Sequence, residues 1–409
     1  MKVVIVGAGI IGLCTAWSLR QRGCEVALVT AGQPGQGASS VNAGWIVPAL
    51  SGPVPGPGVL SGSLRWMLNP ASPFYVRPRP SPSFLRWLLA FRAHCNKRDY
   101  LAGRDAIAAL NRDTLRLYER FEADGLVAPG ERTGLVMAFQ SQRDHDHELA
   151  GLDWLERFDF ERPILGRPEE FEPALGDRVT AAFLLPGERN VNPAAVGAAL
   201  VKHLLADGVE IRTAEAVQAI EVGSGGRITI RLGAGVMTAD AAVVAAGAWT
   251  PRLVANLGAR LPVIAGKGYA LDFSPAPVAL RQSLYLHEDR VALSPYEGRL
   301  RLSGTMELTG LDESISRRRT AAIARAGSGA LRDWPKTAEP ARIVSGLRPL
   351  TPDGLPVIGR LVNTPSVYVA TGHSMLGMTL GPATGAALAG LIAGETAEVL
   401  RPFDPARFA

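Results

Sequence analysis

The feature that most constrains this chain is a glycine-rich turn close to its first residues. The turn, Gly7-Ala-Gly-Ile-Ile-Gly12, follows an apolar run over residues 2–6 that predicts a buried strand. A helix is predicted over residues 13–22 and a second strand over residues 25–30. A strand, a glycine turn, a helix and a strand in this order form the unit that binds the pyrophosphate of a dinucleotide. The sequence therefore predicts a dinucleotide-binding domain here.

Each glycine of the turn has its own physical role. Gly7 allows the tight turn, Gly9 lets the backbone approach the phosphates, and Gly12 permits close packing of the helix on the strand. The free N–H groups at the start of the helix, near Ile10, then face the phosphates together with the positive end of the helix dipole. We therefore expect these four residues to form part of a cofactor site.

One part of the usual dinucleotide site is missing. The second strand should end in an acidic residue that accepts hydrogen bonds from the ribose hydroxyls. Here the strand ends in Thr30, followed by Ala31. A threonine hydroxyl makes one such bond and supplies no charge. We expect either a lower cofactor affinity or compensation by the neighbouring backbone and by Gln33.

The composition indicates a folded globular protein, with 47% hydrophobic and 20% charged residues. A net charge of +5 suits an anionic cofactor or substrate, whereas the scattered basic residues match no nucleic-acid-binding motif. The three cysteines fit no metal spacing and favour a reduced, cytoplasmic protein. The run His145-Asp-His147 predicts a solvated loop or the start of a helix, so we expect no metal site.

Two segments in the first quarter of the chain leave their roles open. Residues 31–82 are rich in Gly, Pro and Ser, which predicts an irregular segment that lines or covers a site. Residues 83–98 predict a basic amphipathic helix. This helix either packs on the body of the protein or contacts a membrane surface.

The pattern of the whole chain predicts an α/β fold, α+β overall, of two interleaved domains. Strands that fit a nucleotide-binding sheet occur near the beginning, middle and end, and residues 262–305 alternate like an antiparallel sheet. We therefore predict a Rossmann-like domain from residues 1–50, 180–250 and 341–409. Residues 51–179 and 251–340 would form a substrate domain on a mainly antiparallel sheet.

Arg348 is the strongest candidate for a substrate-binding residue. It stands in an apolar, proline-rich run, Gly346-Leu-Arg-Pro-Leu-Thr-Pro-Asp-Gly354, where a buried and unpaired guanidinium is costly. Its partner is either a substrate carboxylate, bound through two parallel hydrogen bonds, or a structural carboxylate such as Asp353. The residues alone leave both alternatives open.

Motifs along nearly the whole chain resemble the D-amino-acid oxidase superfamily of FAD-dependent oxidoreductases, and most closely its bacterial D-amino-acid dehydrogenase branch. These motifs are Val4-Ile-Val-Gly-Ala-Gly-Ile-Ile-Gly12, Asn42-Ala-Gly44, Val244-Ala-Ala-Gly-Ala-Trp249, Lys267-Gly-Tyr269, Gly346-Leu-Arg-Pro349, Thr351-Pro-Asp-Gly354, Thr371-Gly-His373 and Leu376-Gly377. The resemblance implies an FAD domain built from separate chain segments and a substrate domain that covers the flavin.

The resemblance also assigns site residues. It implies that Arg348 binds the substrate carboxylate, that Val217 contacts the adenine through its backbone, and that Tyr269 lies near the active-site wall. We expect His373 to contact flavin or substrate, or else to be a structural histidine. The remaining expected FAD contacts lie in the glycine and hydroxyl-rich segments: Ser39, Ser40, Asn42, Ala43, Gly44, Gly247, Trp249, Gly372, Met375, Leu376 and Gly377. Relatives present a tyrosine near residues 292–295, where this chain has only the offset Tyr296.

The implied activity is oxidation of a small amino acid, either a D-amino acid or a D-proline-like secondary amine acid. Hydride would pass from Cα to flavin N5. Because no cysteine lies near the C-terminal flavin motifs, noncovalent FAD is expected. The electron acceptor is a quinone, reached from the inner face of the cytoplasmic membrane, or oxygen, as in glycine and sarcosine oxidases. A flavin-binding subunit of a larger complex and a nicotinamide-dependent dehydrogenase are further alternatives.

Overall fold

A computed structural model describes residues 1–59, 72–77, 81–127 and 133–409. Its strands, in chain order, are β1 (Lys2–Val6), β2 (Glu25–Val29), β3 (Trp45–Ile46), β4 (Phe74–Val76), β5 (Leu135–Phe139), β6 (Ile164–Gly166), β7 (Ala181–Leu185), β8 (Arg189–Asn190), β9 (Glu210–Arg212), β10 (Val217–Val222), β11 (Ile228–Leu232), β12 (Gly235–Ala239), β13 (Ala241–Val244), β14 (Ile264–Phe273), β15 (Ser283–Leu286), β16 (Val291–Tyr296), β17 (Arg299–Leu308), β18 (Arg342–Leu350), β19 (Val357–Leu361) and β20 (Thr364–Thr371).

The helices of the described residues are α1 (Ile10–Arg20), α2 (Pro82–His94), α3 (Lys97–Asn111), α4 (Thr114–Ala123), α5 (Gln142–Ala150), α6 (Pro168–Phe171), α7 (Pro193–Ala206), α8 (Thr250–Val254), α9 (Arg317–Ala330) and α10 (Gly377–Ile392). None of the helices within these residues is long and apolar enough to cross a membrane. The predicted mixed α/β class is confirmed.

A mainly parallel sheet, with strand order β19-β20-β13-β1-β2-β9, contains the glycine turn. Its strand β1 lies between β2 and β13, and both pairings are parallel, with Val3 opposite Val26 and opposite Ala241. The strand order therefore changes direction at β1, because β2 lies on one side of it and β13 on the other. Open α/β sheets bind nucleotides at the carboxyl end of the strands at such a point. The predicted strands at the beginning, middle and end of the chain meet in this sheet.

Helices α1, α7 and α10 pack on one face of the parallel sheet, and the small sheet β10-β11-β12 packs on the other. The contact between α1 and α10 is very close, because a Cβ atom on Gly385 would lie 2.6 Å from the Cys14 carbonyl carbon. Small residues in α10 therefore bring its N-terminus against the glycine turn. Asn192 caps α7, since its side chain accepts hydrogen bonds from the N–H groups of Ala194 and Ala195.

The second large sheet, here called the cap sheet, has the order β18-β14-β17-β16-β15-β5-β7-β6, and β4 pairs with β17. It is mainly antiparallel, as predicted, and α9 covers one of its faces. Two of its strands, β7 and β18, fall in segments predicted for the nucleotide-binding domain. The strand that carries Arg348 is therefore part of the cap sheet.

The predicted helix over residues 83–98 is two helices. The first, α2, ends at His94, and Asn96 caps α3 by accepting a hydrogen bond from the Asp99 N–H at 3.0 Å. An asparagine at this position favours a new helix start over helix continuation. The run at residues 145–147 lies within α5, where His145 is buried and bonded to Asp146.

Candidate active site

A cavity of about 2010 Å³ runs from the glycine turn to Arg348, between the parallel sheet and the cap sheet. Pockets for single drug-sized ligands are roughly 300–1,000 Å³, so this cavity has room for a large cofactor together with a small substrate. Most of the predicted site residues line it: Gly7, Gly9, Ile10, Thr30, Ser39, Asn42, Ala43, Val217, Gly247, Trp249, Arg348, His373, Met375, Leu376 and Gly377.

The glycine turn forms one end of the cavity through its backbone. Gly7 has a φ of 108°, and a Cβ atom there would lie 2.5 Å from the Ala245 carbonyl oxygen. A Cβ atom on Gly12 would lie 2.0 Å from the Gly7 carbonyl oxygen, although Gly12 itself is not in the cavity wall. Gly12 therefore shapes the turn from behind, and the start of α1 faces the cavity.

The predicted segment from Ser39 to Gly44 lies partly in the wall. The Ser39 hydroxyl accepts a hydrogen bond from the Ile10 N–H at 3.0 Å, which joins this segment to the start of α1. Asn42 donates to the Met375 carbonyl at 3.0 Å and joins it to the segment before α10. Ser40 and Gly44 lie outside the cavity wall. The Ser40 hydroxyl donates to the Gly37 carbonyl. A Cβ atom on Gly44 would lie 2.0 Å from the Val191 carbonyl oxygen.

The segment before α10 forms the wall between the two ends of the cavity. The Ser374 N–H donates to the Pro349 carbonyl at 2.9 Å, which joins this segment to the strand that carries Arg348. Gly372 lies outside the wall, in a left-handed conformation packed against Thr351. The His373 ring is 3% exposed and bonded to the Thr384 hydroxyl at 3.1 Å, and burial lowers its pKa to about 3. This histidine is therefore neutral.

Arg348 lies at the other end of the cavity, on β18. Its Nη1 donates to the Thr305 carbonyl at 2.7 Å, and its guanidinium lies directly over Gly268, where a Cβ atom would be 2.2 Å from Nη2. Burial lowers the pKa of Arg348 to about 10, so the group is still a cation at neutral pH. Asp353 pairs with Arg407 at 2.8 Å and not with Arg348. Arg348 forms no ion pair with any carboxylate of the described residues.

Two further polar residues of the cap sheet line this end and were missed from the sequence. Tyr285 lies on β15 directly opposite Ala292 of β16, and Arg290 lies in the turn between these strands, with a φ of 54°. Burial lowers the pKa of Arg290, but Tyr285, Glu148 and Glu288 more than offset this, so the pKa lies above its ordinary value. Only the pairing of β15 with β16 points to Tyr285, because it places this residue opposite Ala292, near the position where a tyrosine is expected.

Tyr269 does not lie in the cavity wall, so that prediction is wrong. Its side chain is fully buried on the other face of β14, and its hydroxyl donates to Glu307 at 2.6 Å. Side chains alternate along a strand, so Gly268 faces the cavity and Tyr269 faces the core. Tyr296, the offset tyrosine, donates to the Ala43 carbonyl and supports the segment from Ser39 to Gly44 from behind.

Comparison with known proteins agrees with this geometry. The profile of the DAO family, described as FAD dependent oxidoreductase, matches residues 2–391. The chain belongs to this family. Among similar proteins, the D-amino acid dehydrogenase of Xylella fastidiosa strain M23 is 32% identical over 418 residues, which cover 98% of this chain and 93% of the relative. The D-amino acid dehydrogenase of Bradyrhizobium diazoefficiens is 33% identical over 419 residues, which cover 98% of this chain and 96% of the relative.

Solved structures of the DAO family share the fold. Glycine oxidase from Geobacillus kaustophilus superposes with a TM-score of 0.77 at 24% identity, over 98% of both chains. L-proline dehydrogenase from P. horikoshii superposes with a TM-score of 0.76 at 18% identity, over 100% of this chain and 97% of the other. These structures show that the chain has the same fold, and the family match identifies it as an FAD-dependent oxidoreductase of the DAO type.

The cavity fits FAD. Glycines keep the turn tight, because a side chain at Gly7 or Gly12 would collide with backbone. The start of α1 supplies N–H donors for phosphate, and the start of α10 faces the middle of the cavity. Glycine-turn residues, Thr30, Val217, Ser39, Asn42 and the segment from His373 to Gly377 would hold the cofactor. No group of three or more His, Cys, Asp or Glu side chains in the described residues is arranged to hold a metal ion.

Proposed function

We propose that this chain oxidises a small amino acid, either a D-amino acid or a D-proline-like secondary amine acid. The observation that carries the proposal is Arg348, a cation that faces the cavity over Gly268 without a carboxylate partner in the described protein. The dehydrogenase relatives support an amino acid as substrate. Bound FAD supplies the chemistry, acceptance of a hydride from the substrate Cα at flavin N5.

The side chains at this end bind and orient the substrate. Arg348 binds the substrate carboxylate through charge-assisted hydrogen bonds, and the Tyr285 hydroxyl adds a donor beside it. His373 is neutral and bonded to Thr384, so it does not act as a cationic partner for the substrate. The substrate amine binds in its neutral form and needs no side-chain base. The imine product leaves the site and hydrolyses in water.

The test is anaerobic flavin bleaching with D- and L-amino acids, D- and L-proline derivatives, glycine and N-methyl glycine. We expect D-amino acids or D-proline derivatives to bleach the flavin fastest. Equal or faster bleaching by the L-enantiomers would contradict the stereochemical part of the proposal. A chain that binds FAD but that no amine bleaches would support the alternative of a flavin-binding subunit.

The bound FAD is proposed to be noncovalent. Cysteine is absent from the described cavity wall, and Cys14, which packs against α10, is fully buried with its pKa raised by burial. Acid precipitation should release all of the flavin into the supernatant. Flavin that stays with the precipitate would contradict this proposal.

The electron acceptor is proposed to be a membrane quinone, with oxygen as the alternative. Helix α2 exposes Leu85 and Leu89, 59% and 57% accessible, beside the exposed Arg86 and Arg92. Exposed leucines one helical turn apart, flanked by cations, suit peripheral contact with the anionic inner face of the cytoplasmic membrane. Sedimentation with anionic vesicles should fall in Leu85→Glu/Leu89→Glu but not in Leu205→Glu, a control at another exposed leucine on α7.

Faster turnover with a quinone or dye than with oxygen would support this acceptor, and the reverse would favour a glycine- or sarcosine-oxidase type of reaction.

The domain division is proposed as predicted, with β7 and β18 moved to the substrate domain because they lie in the cap sheet.

A further inference from the structure

The cavity has an acidic side chain next to the position where the ribose acid is missing. Strand β2 ends at Val29, and Thr30 continues its direction into the cavity wall. The neighbouring strand β9 and the residues after it run beside this end: the Thr30 N–H donates to the Arg212 carbonyl at 2.9 Å, and the Glu215 N–H donates to the Thr30 carbonyl at 3.1 Å. These two hydrogen bonds fix Glu215 next to Thr30, and both residues line the cavity.

The carboxylate of Glu215 has no hydrogen-bond donor from the described protein at one of its oxygens. Oε2 is buried and accepts no hydrogen bond. Its nearest cation, Arg212 Nη1, is 4.0 Å away, and the same guanidinium donates to Glu210 at 2.7 Å. The side chain is 31% accessible although Oε2 is covered, so its accessible surface lies on the rest of the group. Because Oε2 is covered, a ligand reaches this carboxylate through the accessible part of the group, where few protein donors favour a ligand that brings hydroxyl groups.

The backbone before Glu215 is held in an uncommon conformation. Ala214 has a φ of 56°, in the left-handed region that non-glycine residues rarely adopt. This conformation turns the chain between β9 and β10, so that Glu215, Ala216 and Val217 follow the cavity wall. Backbone strain of this kind is often found at ligand-binding positions.

We propose that Glu215 replaces the missing acid of β2 and accepts hydrogen bonds from the hydroxyls of the adenosine ribose of FAD. Val217, in the same segment, lies where the adenine contact is expected, so one short segment serves adenine and ribose together. Thr30 adds at most one uncharged hydrogen bond. The ribose therefore contributes as much to FAD affinity as in a site with the usual acid, in place of the lower affinity that Thr30 alone predicts.

The test compares FAD affinity of Glu215→Gln with that of the unchanged protein, by titration of the flavin-free protein and flavin fluorescence. A hydrogen bond to a charged group contributes roughly 1.5–3 kcal/mol, so Glu215→Gln should weaken FAD binding by about tenfold or more. Glu210→Gln is the matched control, because Glu210 also contacts Arg212 but does not line the cavity. Its FAD affinity should be unchanged.

An FAD analogue without the adenosine ribose hydroxyls separates recognition from structure. The unchanged protein should bind this analogue about tenfold more weakly than FAD, and the difference between the two ligands should be smaller in Glu215→Gln. Thr30→Glu in the Glu215→Gln background should restore FAD affinity by placing the acid at its usual position. Equal affinity of the unchanged protein for FAD and the analogue would overturn the proposal. So would a loss in Glu215→Gln that is the same for both ligands.

Discussion

The two ends of the cavity are built in different ways. The glycine-turn end is made mainly of backbone, and its turn residues Gly7 to Ile11 are adjacent in sequence. The Arg348 end is made of side chains from strands far apart in sequence: Tyr285 of β15, Arg348 of β18 and the turn residue Arg290. Both ends use a glycine to admit a neighbour, backbone in the first case and the Arg348 guanidinium over Gly268 in the second. A site made of local backbone appears as a motif, whereas a site made of distant side chains depends on strand register.

The largest expected effect comes from removing the cation of the side-chain end. Arg348→Ala should lower kcat/KM for amino acids by roughly 2–5 kcal/mol, or about 30- to 4,000-fold, because the substrate carboxylate loses its charge partner. FAD binding should not change, since Arg348 lies at the other end of the cavity. Steady-state kinetics and the flavin spectrum of the purified variant check this. Kinetics like those of the unchanged protein would exclude Arg348 as the carboxylate partner.

Gly12 should not tolerate an added methyl group, although it lies outside the cavity wall. Gly12→Ala puts Cβ 2.0 Å from the Gly7 carbonyl oxygen, so the turn must open. We expect a loss of about 1–3 kcal/mol in the free energy of unfolding, together with weaker FAD binding. Denaturant unfolding and FAD titration measure the two effects. Gly233→Ala, where the nearest atom is 3.9 Å away, is the control and should change neither.

A glycine of the side-chain end tests whether Arg348 must lie where it does. Gly268→Ala puts Cβ 2.2 Å from Arg348 Nη2 and displaces the guanidinium while keeping its charge. We expect KM to rise by roughly tenfold, about 1.4 kcal/mol, with FAD affinity unchanged. An unchanged KM would mean that the position of the guanidinium over Gly268 is not needed for binding.

The smallest effect should distinguish the tyrosine in the cavity from the one in the core. Tyr285→Phe removes a hydroxyl from the wall and should raise KM by about fivefold, or roughly 1 kcal/mol. Tyr269→Phe should leave KM unchanged and lower the melting temperature, because Glu307 loses the donor at 2.6 Å. If Tyr269→Phe raised KM and Tyr285→Phe did not, the assignment of the two faces of the cap sheet would be wrong.

What could be predicted from the sequence follows the same division. The parallel sheet and the glycine turn follow from local patterns, whereas Arg348 is a candidate from its apolar, proline-rich setting and takes its expected role from the family resemblance. Tyr285 and Arg290 were not predicted, because they share a cavity with Arg348 only through the order and pairing of strands that lie far apart in the sequence. Tyr269 was misplaced by one residue of strand alternation. The helix break at Asn96 was missed because a capping side chain interrupts an otherwise continuous amphipathic pattern.

The hydrogen bond from Ser374 to the Pro349 carbonyl, 2.9 Å long, has a consequence for how substrate range can change. It joins the residue next to Arg348 to the segment from His373 to Gly377, so the proposed carboxylate-binding residue and the proposed flavin-binding segment keep a constant spacing. The turn that carries Arg290 takes no part in this hydrogen bond. Substitutions in that turn can therefore change the shape of the space for the rest of the substrate, while the reacting carbon stays at the same distance from the segment from His373 to Gly377.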